Sequence, residues 1–286
     1  MYPILFDSLP TYGPLLLLGI ALGLFIYRRG ARRMPLDVEN STDFILLIIL
    51  LGFAGARLLH VVVMHDLYLT SIEGVIRIGR LWDGGFAYVG GVLAGSVSLL
   101  LLRKRLPLAL TADLMVIPLA FTHFVGRLGC FSAGCCHGKA DPPGLLGVRF
   151  SPHGAAAAWC PGGTSGECLN HTFFHATQLY EALGILLIII FLALYTPRKR
   201  FHGHMTALYL LAYGGVRFFV EIFRGDPTRG FLMEINTPTL NRFLGLPAGE
   251  PLFFSTSQMV SLVLMGCALW ILWYNFSRKP NQRSES

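Results

Sequence analysis

Tyr213-Gly-Gly-Val-Arg217-Phe-Phe-Val-Glu221-Ile-Phe-Arg224 is the stretch that decides the fold of this chain. It continues an apolar run that starts at Met205, and read as a helix its polar residues recur at spacings of four, four and three. Those spacings keep Tyr213, Arg217, Glu221 and Arg224 within a sector of roughly 80° on one face. The other face shows Val216, Phe218, Phe219, Val220, Ile222 and Phe223. A helix of that kind belongs in lipid, with its charged stripe turned into a bundle or a water-filled cavity. Ionisable residues are costly there and mark a functional site by default. An Arg217–Glu221 pair that merely neutralises itself is the plainer reading. Arg224, left over, and arginines embedded elsewhere favour a site for an anionic ligand.

Working outward, the whole composition agrees with lipid. The chain has 286 residues, of which 53% are hydrophobic and 14% charged, and its mean hydropathy is +0.58. Water-soluble domains carry about 25% charged residues, so the chain reads as an all-α polytopic membrane protein. Seven spans are predicted, at about 12–27, 44–64, 86–102, 108–124, 178–195, 205–223 and 257–274, in a single membrane domain. Each is near the length that crosses ~30 Å of hydrocarbon as a helix. The first has no basic region before it and reads as a retained span, not a signal peptide. No internal repeat or low-complexity segment is visible.

Charge placement orients the spans. Arg28, Arg29, Arg32 and Arg33 follow the first, and Arg103, Lys104 and Arg105 the third. Arg198, Lys199 and Arg200 follow the fifth, and Arg278, Lys279 and Arg283 the seventh. These alternate segments hold 13 of the 23 basic residues, which predicts a cytoplasmic C-terminus and an N-terminus outside. Basic residues placed as membrane flanks argue against a nucleic-acid partner, despite the net charge of +7. Residues 138–175 read as an extracytoplasmic loop or cap holding Cys160 and Cys168, plausible disulfide partners in an oxidising compartment.

At 1.5 Å per residue, Tyr12, Arg57, Tyr88 and Arg127 are predicted to lie in the outer half of the membrane, with Arg217 near the midplane. Glu221 and Arg224 lie farther out, with Gln178 and Glu181 at the outer start of the fifth span. Asp113 sits near the cytoplasmic end of the fourth span and is expected to cap or pair locally, with Arg103 or Arg105 as candidates. The inner halves of the spans are otherwise nearly bare.

Gly126-Arg127-Leu-Gly129-Cys130-Phe-Ser-Ala-Gly134-Cys135-Cys136-His137-Gly138 is the second dense stretch. Its glycines predict a broken turn buried in protein, since unpaired backbone groups are expensive in lipid. Backbone N–H groups beside a guanidinium suit a phosphate. The rival reading, a metal cluster of Cys130, Cys135, Cys136 and His137, is disfavoured because adjacent cysteines do not easily share one tetrahedral ion. No metal or cofactor is expected. Gly90 and Gly91 belong to a glycine run whose Gly91-x-x-x-Gly95 spacing supports close helix packing. Cys267 reads as structural.

These motifs, in this order, resemble the prolipoprotein diacylglyceryl transferase family of the bacterial inner membrane. The resemblance covers nearly the whole chain. It rests on Tyr12-Gly13, Gly55-Ala-Arg57, Trp82-Asp-Gly-Gly85 followed by Gly90-Gly91, Gly126-Arg127-Leu-Gly129, His175-x-x-Gln178-Leu-Tyr180-Glu181 and Tyr213-Gly-x-x-Arg217-x-x-x-Glu221-x-x-Arg224. It implies a seven-span enzyme that moves the diacylglyceryl group of phosphatidylglycerol onto the lipobox cysteine of a prolipoprotein, releasing glycerol phosphate. It further implies essential roles for Arg127 and Arg217, with Tyr12, Tyr213, Glu221 and Arg224 in support. Tyr88 is a candidate for a catalytic role, and Arg57, Gly90, Gly91, Gln178 and Glu181 for substrate binding. Two positions depart from the family pattern. Val89 stands where many members have histidine or tyrosine, and Cys130 where asparagine is usual. A divergent paralogue acting on another acceptor or headgroup, or a lipid- or anion-translocating protein, are the alternative functions. The bare inner halves weigh against translocation, which needs polar groups along the path.

Overall fold

The computed structural model describes residues 4–5, 9–80, 85–140, 147–150, 173–225, 230–246, 249 and 251–277. Among these, six helices are long and apolar enough to cross a membrane. They are α1 (Tyr12–Ala31), α2 (Val38–Val63), α6 (Leu108–Ala133), α7 (Thr177–Tyr195), α8 (His204–Phe223) and α10 (Thr256–Ser277). Shorter helices are α3 (His65–Tyr68), α4 (Ile72–Ile78) and α9 (Pro238–Phe243). The remaining predicted span is α5 (Tyr88–Leu102), whose 15 residues reach only about 22 Å at 1.5 Å each. Leu17, Phe25, Leu50, Leu101, Leu194, Trp270 and Trp273 all lie exposed on these helices. So much outward apolar surface is a lipid-facing coat, far beyond the patches a water-soluble monomer shows.

The chain divides into two compact units, Arg28–Thr111 and the combination of Met1–Tyr27 with Ala112–Ser286. In the smaller unit α2 packs along α5. Gly90 rests on the Gly55 carbonyl and Leu59, and a Cβ at Gly91 would lie 3.3 Å from the Gly52 carbonyl oxygen. These glycines let two backbones approach, the packing use that their spacing suggests. Arg57 acts as a clamp here. Its Nη2 donates to the Arg77 carbonyl at 2.6 Å, its Nη1 to Gly85 at 2.9 Å and its Nε to Ile78 at 3.1 Å. The Tyr68 ring lies 5.3 Å from the guanidinium carbon. The guanidinium therefore satisfies the carbonyls that end α4, groups a helix leaves without intrahelical partners.

In the larger unit, Val116 and Ala120 of α6, Ile185, Ile188 and Leu192 of α7, and Met205 and Tyr209 of α8 form one buried cluster. The other flank of α8 packs on α10. Asp113 organises the end of this bundle opposite the Arg224 terminus of α8. Its carboxylate accepts from the backbone N–H of Gly203 at 2.8 Å and of Thr206 at 2.9 Å, and pairs with Lys199 at 3.0 Å. Gly203 precedes α8 with no side chain to cap it, so a carboxylate from α6 does so, where the helix dipole favours negative charge. The expected local role holds, but the partners come from α8 and the segment before it, not from Arg103 or Arg105.

The expected break after Gly126 is corrected by the structure. Helix α6 runs on through Arg127, Gly129 and Cys130 to Ala133, despite Pro118 and the glycines. Gly129 is a contact point instead, since a Cβ there would lie 3.1 Å from Tyr12 Cδ2. The break comes at Gly134, with φ 70°. Its N–H donates to the Phe131 carbonyl at 3.2 Å, and Cys135 N–H to the Cys130 carbonyl at 3.1 Å. That pair of bonds is a Schellman cap, with glycine in the left-handed position that suits it.

Candidate active site

Two arginines of the larger unit are held by two buried glutamates. On α6, Arg127 Nη2 lies 2.9 Å from Glu181 Oε1 of α7. On α8, Arg217 Nη2 lies 2.7 Å from Glu221 Oε2, one turn away. Both glutamate side chains are 1% exposed, while those of Arg127 and Arg217 retain 16% and 15%. Both carboxylates are thus enclosed, while each arginine side chain keeps a small exposed fraction.

Around this pair each further contact fixes an orientation. Tyr213 donates its hydroxyl to Glu181 Oε1 at 2.9 Å. Glu221 Oε1 accepts from Ser255 Oγ at 3.0 Å, and Arg217 Nη2 also donates to Ser257 Oγ at 3.0 Å. Ser255 and Ser257 flank the start of α10, where Gln258 ties Ser255 N–H at 3.1 Å. The α8 stripe read from the sequence thus faces its counter-charges as the helical spacing requires. One atom stands out. Arg217 Nη1 is buried and has no hydrogen-bond partner among the described residues.

His123 belongs to the same network and was not among the sequence candidates. Its Nε2 lies 3.3 Å from Arg127 Nε and 3.5 Å from Glu181 Oε1, and its ring meets Tyr213 edge-on at 5.2 Å. Neutral, Nε2 accepts from the guanidinium; protonated, it donates to the carboxylate. The signal available in the sequence was spacing, since His123 precedes Arg127 by one turn on the same helix face.

The capped end of α6 is pinned beside this network. Gln178, fully buried, donates to the Cys135 carbonyl at 2.6 Å, and Thr177 Oγ1 to the Cys136 carbonyl at 2.8 Å. Gly138 N–H donates to His175 at 2.7 Å and Lys139 N–H to Phe223 at 2.8 Å, which ties the segment to the end of α8. Arg224 pairs with Gly138 in a bridge there, and both Arg224 and Arg127 act electrostatically on Cys136. Tyr12, at the start of α1, sits against Gly129 and within electrostatic reach of Arg127.

The larger unit therefore gathers Tyr12, Arg127, Gln178, Glu181, Tyr213, Arg217, Glu221 and Arg224. Arg57, Gly90 and Gly91 serve the interior of the smaller unit as described above. The Tyr88 side chain, Trp82, Asp83, Cys160 and Cys168 lie outside the described residues.

Apolar spans that enclose guanidinium groups held by buried carboxylates define a class: a multi-pass membrane protein with fixed cations among its helices. The family model described as prolipoprotein diacylglyceryl transferase matches residues 3–274, and the chain belongs to that family. Among similar proteins, the phosphatidylglycerol–prolipoprotein diacylglyceryl transferase of Clostridium tetani is 28% identical over 83% of this chain and 90% of its own length. One of Symbiobacterium thermophilum is 30% identical over 77% of this chain and 78% of its own. The protein of that name numbered 2 in Clostridium perfringens is 25% identical over 96% and 93%.

Proposed function

We propose that this protein transfers the diacylglyceryl group of phosphatidylglycerol to the thiol of a prolipoprotein lipobox cysteine and releases glycerol phosphate. The observation that carries the reading is the buried Nη1 of Arg217, without a hydrogen-bond partner among the described residues, next to an Nη2 already neutralised by Glu221. A phosphate oxygen supplies the missing acceptor. Arg127, turned by Glu181, supplies the second cation. Guanidinium groups held in fixed directions bind phosphate through paired N–H donors. They also stabilise the charge that grows on the departing phosphate, without reorganisation at that moment.

The acceptor thiol gives up its proton to solvent, and its sulfur attacks the glycerol carbon that bears the phosphate ester. A C–S bond forms, the C–O bond breaks, and the electron pair leaves on glycerol phosphate. Gln178, Tyr12 and Arg224 border the same end of the bundle and are assigned to substrate binding. Tyr88, one residue before Val89, is proposed to position the thiol or the lipid headgroup.

The basic clusters support seven spans in the bacterial inner membrane, with α5 completing the count, the N-terminus outside and the site toward the outer leaflet. In that orientation Cys160 and Cys168 form a disulfide. The test is incubation of the purified protein with phosphatidylglycerol and a lipobox peptide, read by mass. A peptide carrying one diacylglyceryl group on its cysteine supports the reading, and an unmodified peptide rejects it.

A further inference from the structure

Three thiols lie together at the end of α6. The Sγ atoms of Cys130, Cys135 and Cys136 are all within 4.8 Å of one another, and each residue is half-buried. The backbone explains how neighbours in sequence converge. The cap at Gly134 folds Cys135 back over Cys130, and Cys136 adopts φ 60°, a left-handed conformation unusual for a residue with a side chain. The carbonyls of Cys135 and Cys136 are each held by a buried side chain of α7. Adjacent cysteines, which in a regular helix or strand point apart, thus present sulfur to one spot.

That spot has the ligand set of an open zinc site. Around a tetrahedral ion with ~2.3 Å bonds to sulfur, the sulfurs stand about 3.8 Å apart, so a small closure of the side chains suffices. A divalent ion with three thiolates carries one net negative charge. Catalytic zinc keeps three protein ligands and an open fourth position. A thiol that enters such a position is deprotonated by the ion, and the thiolate is the nucleophile.

We propose that Cys130, Cys135 and Cys136 bind one soft divalent cation of the Zn2+ type, whose fourth position takes the acceptor cysteine thiol. The second half rests on the transferase reading. On coordination the acceptor thiol releases its proton to solvent. Its sulfur then forms the C–S bond as the C–O bond to phosphate breaks, with no change of oxidation state.

The full-length protein, purified in detergent under reductant and stripped of metal, is titrated with Co2+. One Co2+ per chain is expected, with thiolate-to-cobalt absorption in the near ultraviolet that is displaced by Zn2+. Cys136→Ser and Cys130→Ser should lose it, while Cys267→Ser, outside the cluster on α10, should keep it. Adding a lipobox peptide should shift the visible cobalt bands, and the Cys→Ser peptide should not. Circular dichroism and gel filtration of each variant separate lost ligands from lost fold. Metal-stripped protein should lipidate about a hundredfold more slowly, the lower end of what positioned proton removal contributes, and recover with Zn2+. No cobalt spectrum, a spectrum unchanged in Cys136→Ser, or a disulfide among the three cysteines in protein isolated without reductant would overturn the site. Full lipidation by metal-free protein overturns the acceptor half, yet leaves the transferase reading standing. If neither form lipidates, the transferase reading and the acceptor half fall together, and the cobalt spectrum alone decides the metal.

Discussion

Arg127 Nη2 stands 2.9 Å from Glu181 Oε1, and the same oxygen accepts the Tyr213 hydroxyl at 2.9 Å. One buried carboxylate oxygen thereby aims a cation from α6 and a phenol from α8. Replacement of Glu181 by glutamine keeps the shape and removes the charge. Glu181→Gln is expected to lower turnover about a hundredfold, the order expected when a reacting group is misplaced by about an ångström. Binding of phosphatidylglycerol should change less. Steady-state rates with the fold monitored by gel filtration check this, and an unaltered turnover would remove Glu181 from the account.

Arg217 offers a comparison of shape against charge. Lysine can still pair with Glu221 but cannot present two parallel donors. Arg217→Lys and Arg217→Gln are both expected to lose about 10²–10³ in turnover, as when a preorganised donor to developing charge is removed. Lipidation rates at saturating lipid decide it. Full activity in Arg217→Lys would mean that a point charge suffices there.

His123 is expected to position Arg127. Its ring also packs on Tyr213 at 5.2 Å, which His123→Phe preserves while deleting Nε2. Turnover should fall roughly tenfold in His123→Phe, the low side of one lost charge-assisted hydrogen bond. His123→Gln, which restores a polar group, should recover part of it. Equal, near-complete losses in both variants would point to a role for the imidazole beyond positioning.

Asp113 offers a stability prediction. Its carboxylate caps α8 and pairs with Lys199. Asp113→Ala should lower stability by about 0.5–2 kcal/mol, the range for a lost helix cap. The arginine–glutamate network should be untouched, so the specific activity of the folded fraction should stay at wild-type level. Thermal denaturation in detergent and activity per folded molecule are the two readouts.

Much of this was legible in the sequence, and the exceptions share a cause. Helices α1, α7, α8 and α10 begin within a residue of the predicted spans, because long apolar runs bounded by polar residues leave little choice of start. The α8 stripe was legible for the same reason, as side chains at helical spacing share a face. The overrun of α6 was not, since Gly129 works by close packing on Tyr12, a contact that no local rule shows. The partners of Arg57, carbonyls 20 and more residues away at the end of α4 and at Gly85, likewise lie beyond any local pattern. The convergence of Cys135 and Cys136 was missed because it depends on left-handed backbone at Gly134 and Cys136. Asp113 has its cap partners 90 and 93 residues away, a distance over which charge pattern carries no pairing information.

The central claim is that arginine-held phosphate leaves as a cysteine thiol takes the diacylglyceryl group. It is tested most directly by stoichiometry, with phosphatidylglycerol labelled in its headgroup glycerol and a lipobox peptide labelled at its cysteine. The account predicts one labelled glycerol phosphate released for each thioether formed, and neither product with the Cys→Ser peptide or in Arg217→Gln. Release of glycerol phosphate that continues without an acceptor thiol, or a lipidated peptide with no glycerol phosphate set free, would contradict it.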